Sequence, residues 1–126
     1  MESLSARTAA TRLTEADVST LRHILDEMIE AAQKQDTQQM VRLDNDFHET
    51  ILQIAGNKLL YQLWKTLQFG YWTIVTIRIS SYNLEQLAHR HEELLEALMT
   101  REPERAAQAM LRHIEDLGRP PENPGT

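Results

Sequence analysis

The chain has 126 residues, of which 41% are hydrophobic and 25% charged, enough for one globular domain and too few for two. It contains no cysteine, which excludes disulfides and cysteine-ligated zinc or iron–sulfur sites. The net charge is −6, so the chain lacks the excess of lysine and arginine with which proteins bind nucleic-acid phosphates. We therefore expect no nucleic-acid binding through this chain.

The sequence also indicates where the protein works. No apolar run approaches the roughly 20 residues that span a membrane, and the N-terminus lacks the basic and apolar regions of a signal peptide. We therefore expect a cytoplasmic protein without membrane contact. Glycine and proline number four each, and three of the prolines fall in the last seven residues, so the body of the chain favours helices.

The first half of the chain predicts three helices. A short one runs from about Glu2 to Arg12. A capping-box pattern at Thr14 opens the second, which continues to about Gln33. Asp36 is the N-cap candidate of the third helix, which ends at the Ala55-Gly56-Asn57 turn, where glycine and asparagine suit a left-handed conformation.

Three further helices are predicted in the second half. The fourth, from Lys58 to about Ser80, is the most apolar, so we expect it in the centre of the bundle. Asn83 caps the fifth, which runs to about Thr100, and the sixth runs from Pro103 to Gly118. Short linkers make consecutive helices antiparallel neighbours, so the fold class is an all-α up-and-down bundle over residues 1–117, followed by a disordered tail over 118–126.

Helical phase sorts the five histidines. His91 shares the apolar stripe of the fifth helix with Leu87 and Leu94 and faces the core, whereas His89 and His23 lie off the apolar stripes and face solvent. His113 faces inward from the sixth helix. It lies as far after the turn near residue 102 as His91 lies before it, so the two histidines should meet at one height.

A carboxylate and another histidine complete a candidate metal site. Asp44 and His48 are spaced i, i+4 and share one face of the third helix, beside apolar residues. Three imidazoles and a carboxylate in the interior are costly without partners, at roughly 1–3 kcal/mol each, and a divalent ion such as zinc, nickel, iron or manganese would satisfy them. Histidines that are simply hydrogen-bonded within the core are the alternative.

The same residues carry a family resemblance. The stretch from Asp44 to His48 resembles the D-x-x-F-H motif of the FCD domain, the C-terminal effector domain of FadR-subfamily GntR transcription regulators. The Ala55-Gly56-Asn57 turn is similar to that family's small-Gly-Asn turn. The stretches from His91 to Leu98 and from Arg101 to His113 resemble two later motifs of the family, in the same order. The resemblance covers nearly the whole chain, from about Glu2 to Leu117.

The resemblance implies a bundle of six to seven helices that binds a small, often carboxylate-bearing effector. In the metal-binding branch of the family, the positions that match Asp44, His48, His91 and His113 hold the ion. Arg78, on one stripe of the fourth helix, is a candidate to hold an anionic effector; a solvated arginine near a helix end is the alternative. The family's N-terminal winged helix-turn-helix, which would bind DNA, is missing from this sequence, so we expect an excised piece or a stand-alone sensor.

Three classes of function remain at this stage. The first is the effector-sensing half of a regulator, acting as a homodimer whose geometry the effector changes. The second is a metal-dependent helical-bundle enzyme, which the sequence disfavours: it lacks paired Glu-x-x-His motifs, and the H-E-x-x-H pattern that begins at His91 fails at Leu95. Only Asp46 offers a remote general base, so we expect no enzyme. The third is a purely structural dimerisation module.

Overall fold

A computed structural model describes residues 2–67 and 83–118, with side chains through His113. Within these ranges every regular element is a helix, which confirms the all-α fold class. The helices are α1 (Glu2–Arg12), α2 (Glu15–Gln33), α3 (Thr37–Ala55), α4 (residues 58–67), α5 (Leu84–Met99) and α6 (Pro103–Gly118). Among these helices, none has the length and hydropathy needed to span a bilayer.

The predicted helix starts are set by local capping. The Thr14 hydroxyl accepts a hydrogen bond from the Asp17 amide at 3.1 Å, and the Asp17 carboxylate accepts one from the Thr14 amide at 3.0 Å, which completes the capping box. Asp36 caps α3 by accepting from the Gln39 amide at 3.1 Å. Asn83 caps α5. These side chains satisfy amides that a helix start leaves without partners.

The end of α3 differs slightly from the prediction. Gly56 takes the left-handed conformation with φ 74°, as expected, but Asn57 does not share that role. Its side-chain oxygen accepts from the Leu60 amide at 3.1 Å, so Asn57 caps α4. The two residues thus stop one helix and start the next.

The helices other than α4 pack as a ring. In order around the ring they are α1, α3, α2, α5 and α6, and α6 closes against α1. The larger of two core clusters draws side chains from all five, including Leu21, Phe47, Leu94 and Met110. The ring therefore turns the inner faces of α3, α5 and α6 towards one another.

One expectation about helix neighbours needs correction. Consecutive helices pack together for α2 with α3 and for α5 with α6, but α1 packs mainly against α6 and α3. The inner face of α1 consists of small residues, and Ala6, Ala9 and Ala10 are completely buried. Small side chains let a helix backbone come close to its neighbours, which allows α1 to close the ring.

The expected central position of the fourth helix is wrong for its described part. Leu59, Leu63 and Leu67 are 78%, 48% and 54% exposed, and Trp64 anchors the opposite face at 3% exposure. High apolar content shows that a helix has a face to cover, but not which part of the molecule covers it. The rest of the predicted fourth helix, and the predicted tail beyond Gly118, lie outside the described residues.

Candidate metal centre

Four predicted residues come together inside the ring. Asp44 and His48 project from adjacent turns of α3, His91 comes from α5 and His113 from α6. Each is at most 4% exposed, and one donor atom from each lies within 4.8 Å of those of the others. The expected meeting of His91 and His113 is confirmed, because their ring centroids lie 4.4 Å apart.

The donor atoms face one another at short range. The Nε2 atom of His91 lies 2.7 Å from Asp44 Oδ1. The Nε2 atom of His48 lies 3.3 Å from the same oxygen and 3.2 Å from Nε2 of His113. Phe47 packs edge-on against the His91 ring, with 5.2 Å between centroids, and closes the apolar wall beside the cluster. The cluster therefore has three nitrogens and a carboxylate oxygen directed at one small volume.

This donor set fits a bound cation. A metal ion with nitrogen and oxygen ligands at about 2.0–2.1 Å holds neighbouring donors roughly 3.0–3.4 Å apart, close to the separations of His48 from Asp44 and His113. Asp44 Oδ2 and His113 Nδ1 are buried without a hydrogen-bond partner. His91 faces oxygens on both sides, since Nδ1 lies 2.8 Å from the Leu87 carbonyl and Nε2 faces Asp44. A ring that faces an oxygen on each side fits a bound cation at Nε2.

Charge inside the cluster is strongly coupled. Burial alone would raise the pKa of Asp44, but the neighbouring His48 and His91 hold it well below its usual range. Burial alone would lower the pKa of His48, but the carboxylates of Glu2 and Asp44 raise it to about 10. Burial and the nearby His91 and His48 lower the pKa of His113. The metal-free cluster at neutral pH therefore pairs one ionised carboxylate with a protonated His48 and a neutral His113.

Other predicted residues lie away from this cluster. His23 and His89 are exposed, as expected, and pair with Glu27 at 3.2 Å and Glu93 at 3.3 Å on their own helices.

Asp46, considered as a remote base, is exposed on the outer side of α3. Arg78 lies outside the described residues. None of the described positions among these adds a ligand to the cluster.

Sequence reasoning missed one neighbour of the site. Glu2 of α1 brings Oε1 to 3.0 Å from Nδ1 of His48, on the side of the ring away from the other ligands. A sign of this placement was present, because Glu2 lies four residues before buried Ala6 and seven before buried Ala9. An acidic residue on the buried stripe of a helix indicates an internal partner.

A groove next to the cluster was also missed. It lies between α5 and α6, with a cavity volume of about 440 Å³, and reaches His113 at its inner wall. Its lining consists of Arg90, Glu93, Leu94, Ala97, Ala109, Arg112 and His113. The position of each arginine on its own helix can be read from the sequence. Their common position in one groove, however, depends on how α5 packs against α6.

Comparison with known proteins agrees with this architecture. Residues 1–116 match the model of the FCD domain family. The chain is 26% identical over 121 residues to the HTH-type transcriptional repressor RspR of Escherichia coli (strain K12), covering 93% of this chain and 52% of that protein. It is 25% identical over 114 residues to a probable D-xylose utilization operon transcriptional repressor of Paenarthrobacter nicotinovorans, covering 90% of this chain and 50% of that protein.

The curated relatives are longer than this chain. The chain spans about half the length of the curated relatives that it matches. Their names describe regulators of transcription rather than enzymes, in agreement with the expectation of a non-enzymatic domain. The family match covers nearly the whole chain, including the residues of the cluster. The chain therefore belongs to the FCD domain family, as its motifs predicted.

Proposed function

We propose that this chain is the effector-sensing and dimerising domain of a cytoplasmic bacterial regulator of the GntR family, FadR subfamily, and that it holds a divalent metal ion between Asp44, His48, His91 and His113. The observation that carries the proposal is the buried cluster, in which three imidazoles and one carboxylate converge within 4.8 Å. Membership of the FCD family and relatives named as transcription regulators support the regulatory role.

The donor set suits zinc, nickel, iron or manganese. A bound ion would supply open coordination positions to a carboxylate ligand. The chain's own residues set the conditions for such a ligand: Asp44 contributes the one negative charge among the four donors, and the Phe47 ring limits the access of water. Because the donors come from three helices of the ring, ligand binding at the site would shift α3, α5 and α6 together.

The effector in this proposal is a small carboxylate. The groove between α5 and α6 supports that class, because half-buried Arg90 and exposed Arg112 line it beside His113. A guanidinium group binds a carboxylate through two parallel hydrogen bonds. Arg78 stays in the proposal as a further anion contact. Because one relative is named for D-xylose utilization, sugar acids belong among the candidate carboxylate effectors.

The partner in this proposal is a second copy of the chain. The described surface carries three exposed leucines on one face of α4, Leu59, Leu63 and Leu67, spaced four residues apart. Covering such a face with its own copy would give a symmetric dimer. DNA binding would reside in a separate helix-turn-helix region, because this chain has a net charge of −6 and spans half of its HTH-type relatives.

Thermal unfolding with and without a chelator tests the sensing site. We expect a small carboxylate or sugar acid from a screening panel to raise the melting temperature of the metal-loaded protein. His113→Ala removes a donor and should abolish the shift, as should chelation. His89→Ala is the matched control, because His89 is exposed on α5, and it should keep the wild-type shift.

The same experiment separates the alternatives. A ligand shift that survives both chelation and His113→Ala would contradict sensing through a metal. A protein whose melting temperature is unchanged by chelation and by every ligand would instead be the purely structural dimerisation module. The enzyme alternative has no support among the described residues, since Asp46 faces outward and the named relatives are regulators.

A further inference from the structure

The carboxylate of Glu2 lies against the outer side of the His48 ring. Its Oε1 atom is 3.0 Å from Nδ1 of His48, and the two side chains are 13% and 1% exposed. The ring N–H is not aligned with that oxygen, so the contact is an ion pair rather than a formed hydrogen bond. Neither atom has any other hydrogen-bond partner, although both are buried. Each is therefore the natural partner of the other.

The packing of α1 brings this carboxylate inside. Ala6, Ala9 and Ala10 are completely buried, so α1 approaches α3 and α6 closely enough for Glu2 to reach the cluster. On the outer surface, Arg7 of α1 pairs with Glu104 of α6. Glu2 is thus the acidic group through which α1 contacts the cluster, whereas Arg7 joins α1 to the bundle elsewhere.

The three histidines differ in how their outer nitrogens are held. His91 donates from Nδ1 to the Leu87 carbonyl at 2.8 Å, within its own helix. His48 faces the Glu2 carboxylate of a different helix, and His113 Nδ1 has no partner. Metal-bound histidines usually donate their second N–H to a carboxylate or carbonyl, which fixes the tautomer and makes the other nitrogen a better ligand.

We infer that Glu2 is the positioning residue of the proposed metal site: it keeps the proton of His48 on Nδ1, presents Nε2 to the ion, and thereby links α1 to metal binding. This inference rests on the proposed function, because it needs an ion at the cluster. It adds a residue from α1, which supplies none of the four ligands.

Competition titration of Zn²⁺ against a chelating dye tests the inference. Removing an outer partner of a metal-bound histidine typically weakens metal binding by about 10–100-fold, and we expect this loss for Glu2→Ala. Glu2→Gln should show a smaller loss, because its amide oxygen can still face the Nδ1–H group but carries no charge. Glu104→Gln is the control: it also removes an acidic partner that ties α1 to the bundle, but away from His48. It should bind Zn²⁺ within about twofold of wild type.

A second readout separates positioning from folding. In the zinc-loaded wild type, we expect a slowly exchanging imidazole Nδ1–H resonance of His48 by NMR, which Glu2→Ala removes and Glu2→Gln keeps. Unchanged zinc affinity in Glu2→Ala, with a wild-type helical circular dichroism spectrum, would overturn the role of Glu2 alone. Failure of the wild type itself to bind Zn²⁺ would overturn the proposed metal site together with it.

Discussion

At the scale of single residues, His48 is the histidine of the cluster that contacts two carboxylates. Its ring lies between two carboxylates, with Asp44 Oδ1 at 3.3 Å from Nε2 and Glu2 Oε1 at 3.0 Å from Nδ1. Burial works against the imidazolium, but the two carboxylates outweigh it and raise the pKa of His48 to about 10 from an ordinary 6.5. In the metal-free protein at neutral pH, a proton therefore occupies the position that a metal ion would take.

This arrangement predicts that metal binding releases a proton. At pH 7 an entering Zn²⁺ ion must displace the His48 proton, so at least about one proton should be released per ion bound. The apparent affinity should rise by about tenfold per pH unit as pH rises from 7 towards 9. Calorimetric zinc titrations in two buffers of different ionisation enthalpy measure the number of protons released. Titrations that release no proton at pH 7 would contradict the account of His48.

The raised pKa of His48 also determines how the stability of the metal-free protein depends on pH. Because the pKa of His48 is raised on folding, its stabilising contribution is fully present below pH 6.5 and is lost as pH rises through about 10. Asp44 has the opposite dependence, since its pKa is lowered, and its contribution is lost on acidification below the ordinary carboxyl range.

At the scale of secondary-structure elements, α3 has the largest share in the site. It supplies Asp44 and His48 from adjacent turns and places Phe47 in the core, against the His91 ring. Its C-terminus depends on Gly56, whose φ of 74° is a conformation that side chains with a Cβ disfavour. A Cβ at this position would also lie 3.1 Å from the Arg12 guanidinium.

Gly56→Ala should therefore destabilise the fold. The left-handed conformation costs roughly 1–2 kcal/mol for a residue with a Cβ, partly offset by the lower entropy of the unfolded chain, so we expect a net loss of about 1 kcal/mol in the free energy of unfolding. Urea unfolding of the variant measures this loss. Gln38→Ala, at an exposed position on the same helix, is the matched control and should stay within about 0.5 kcal/mol of wild type. Equal stability of the two variants would show that the turn is not constrained.

Features that depend on local chemistry were predictable from the sequence. Thr14, Asp36 and Asn83 cap helices because each side chain reaches an amide two or three residues away. The inward phase of His91 and His113 follows from their spacing to apolar neighbours on the same helix. Such contacts need no knowledge of how the helices pack.

Features that depend on packing between helices were not predictable in this way. Glu2 meets His48 only because the alanine face of α1 lies against α3. The sequence of one helix does not determine the order of the helices around the ring. Arg90 and Arg112 share a groove for the same reason. The hydropathy of α4 suggested that Leu63 would be buried. Whether it is buried depends on which helices pack against it, and that cannot be read from the helix alone.

At the scale of the whole molecule, the ring formed by the described helices other than α4 encloses the polar cluster. Helices α3, α5 and α6 contribute the four donors, α1 contributes Glu2, and α2 packs against α3 and α5 from the other side. An ion at the centre would join α3 to the consecutive helices α5 and α6, which are distant from α3 in sequence, so its binding would stabilise the folded ring against unfolding. The chain contains no cysteine, so any metal ion that it holds must be bound without thiolate ligands.

Metal content is the most direct test of the central claim, that Asp44, His48, His91 and His113 form a metal site. Elemental analysis of freshly purified protein should find about one divalent transition-metal ion per chain in the wild type and in His89→Ala, and a large loss in His113→Ala, as expected when one of the protein ligands is removed. A wild type that carries no metal, and takes up none when dialysed against zinc, nickel or manganese, would contradict the claim.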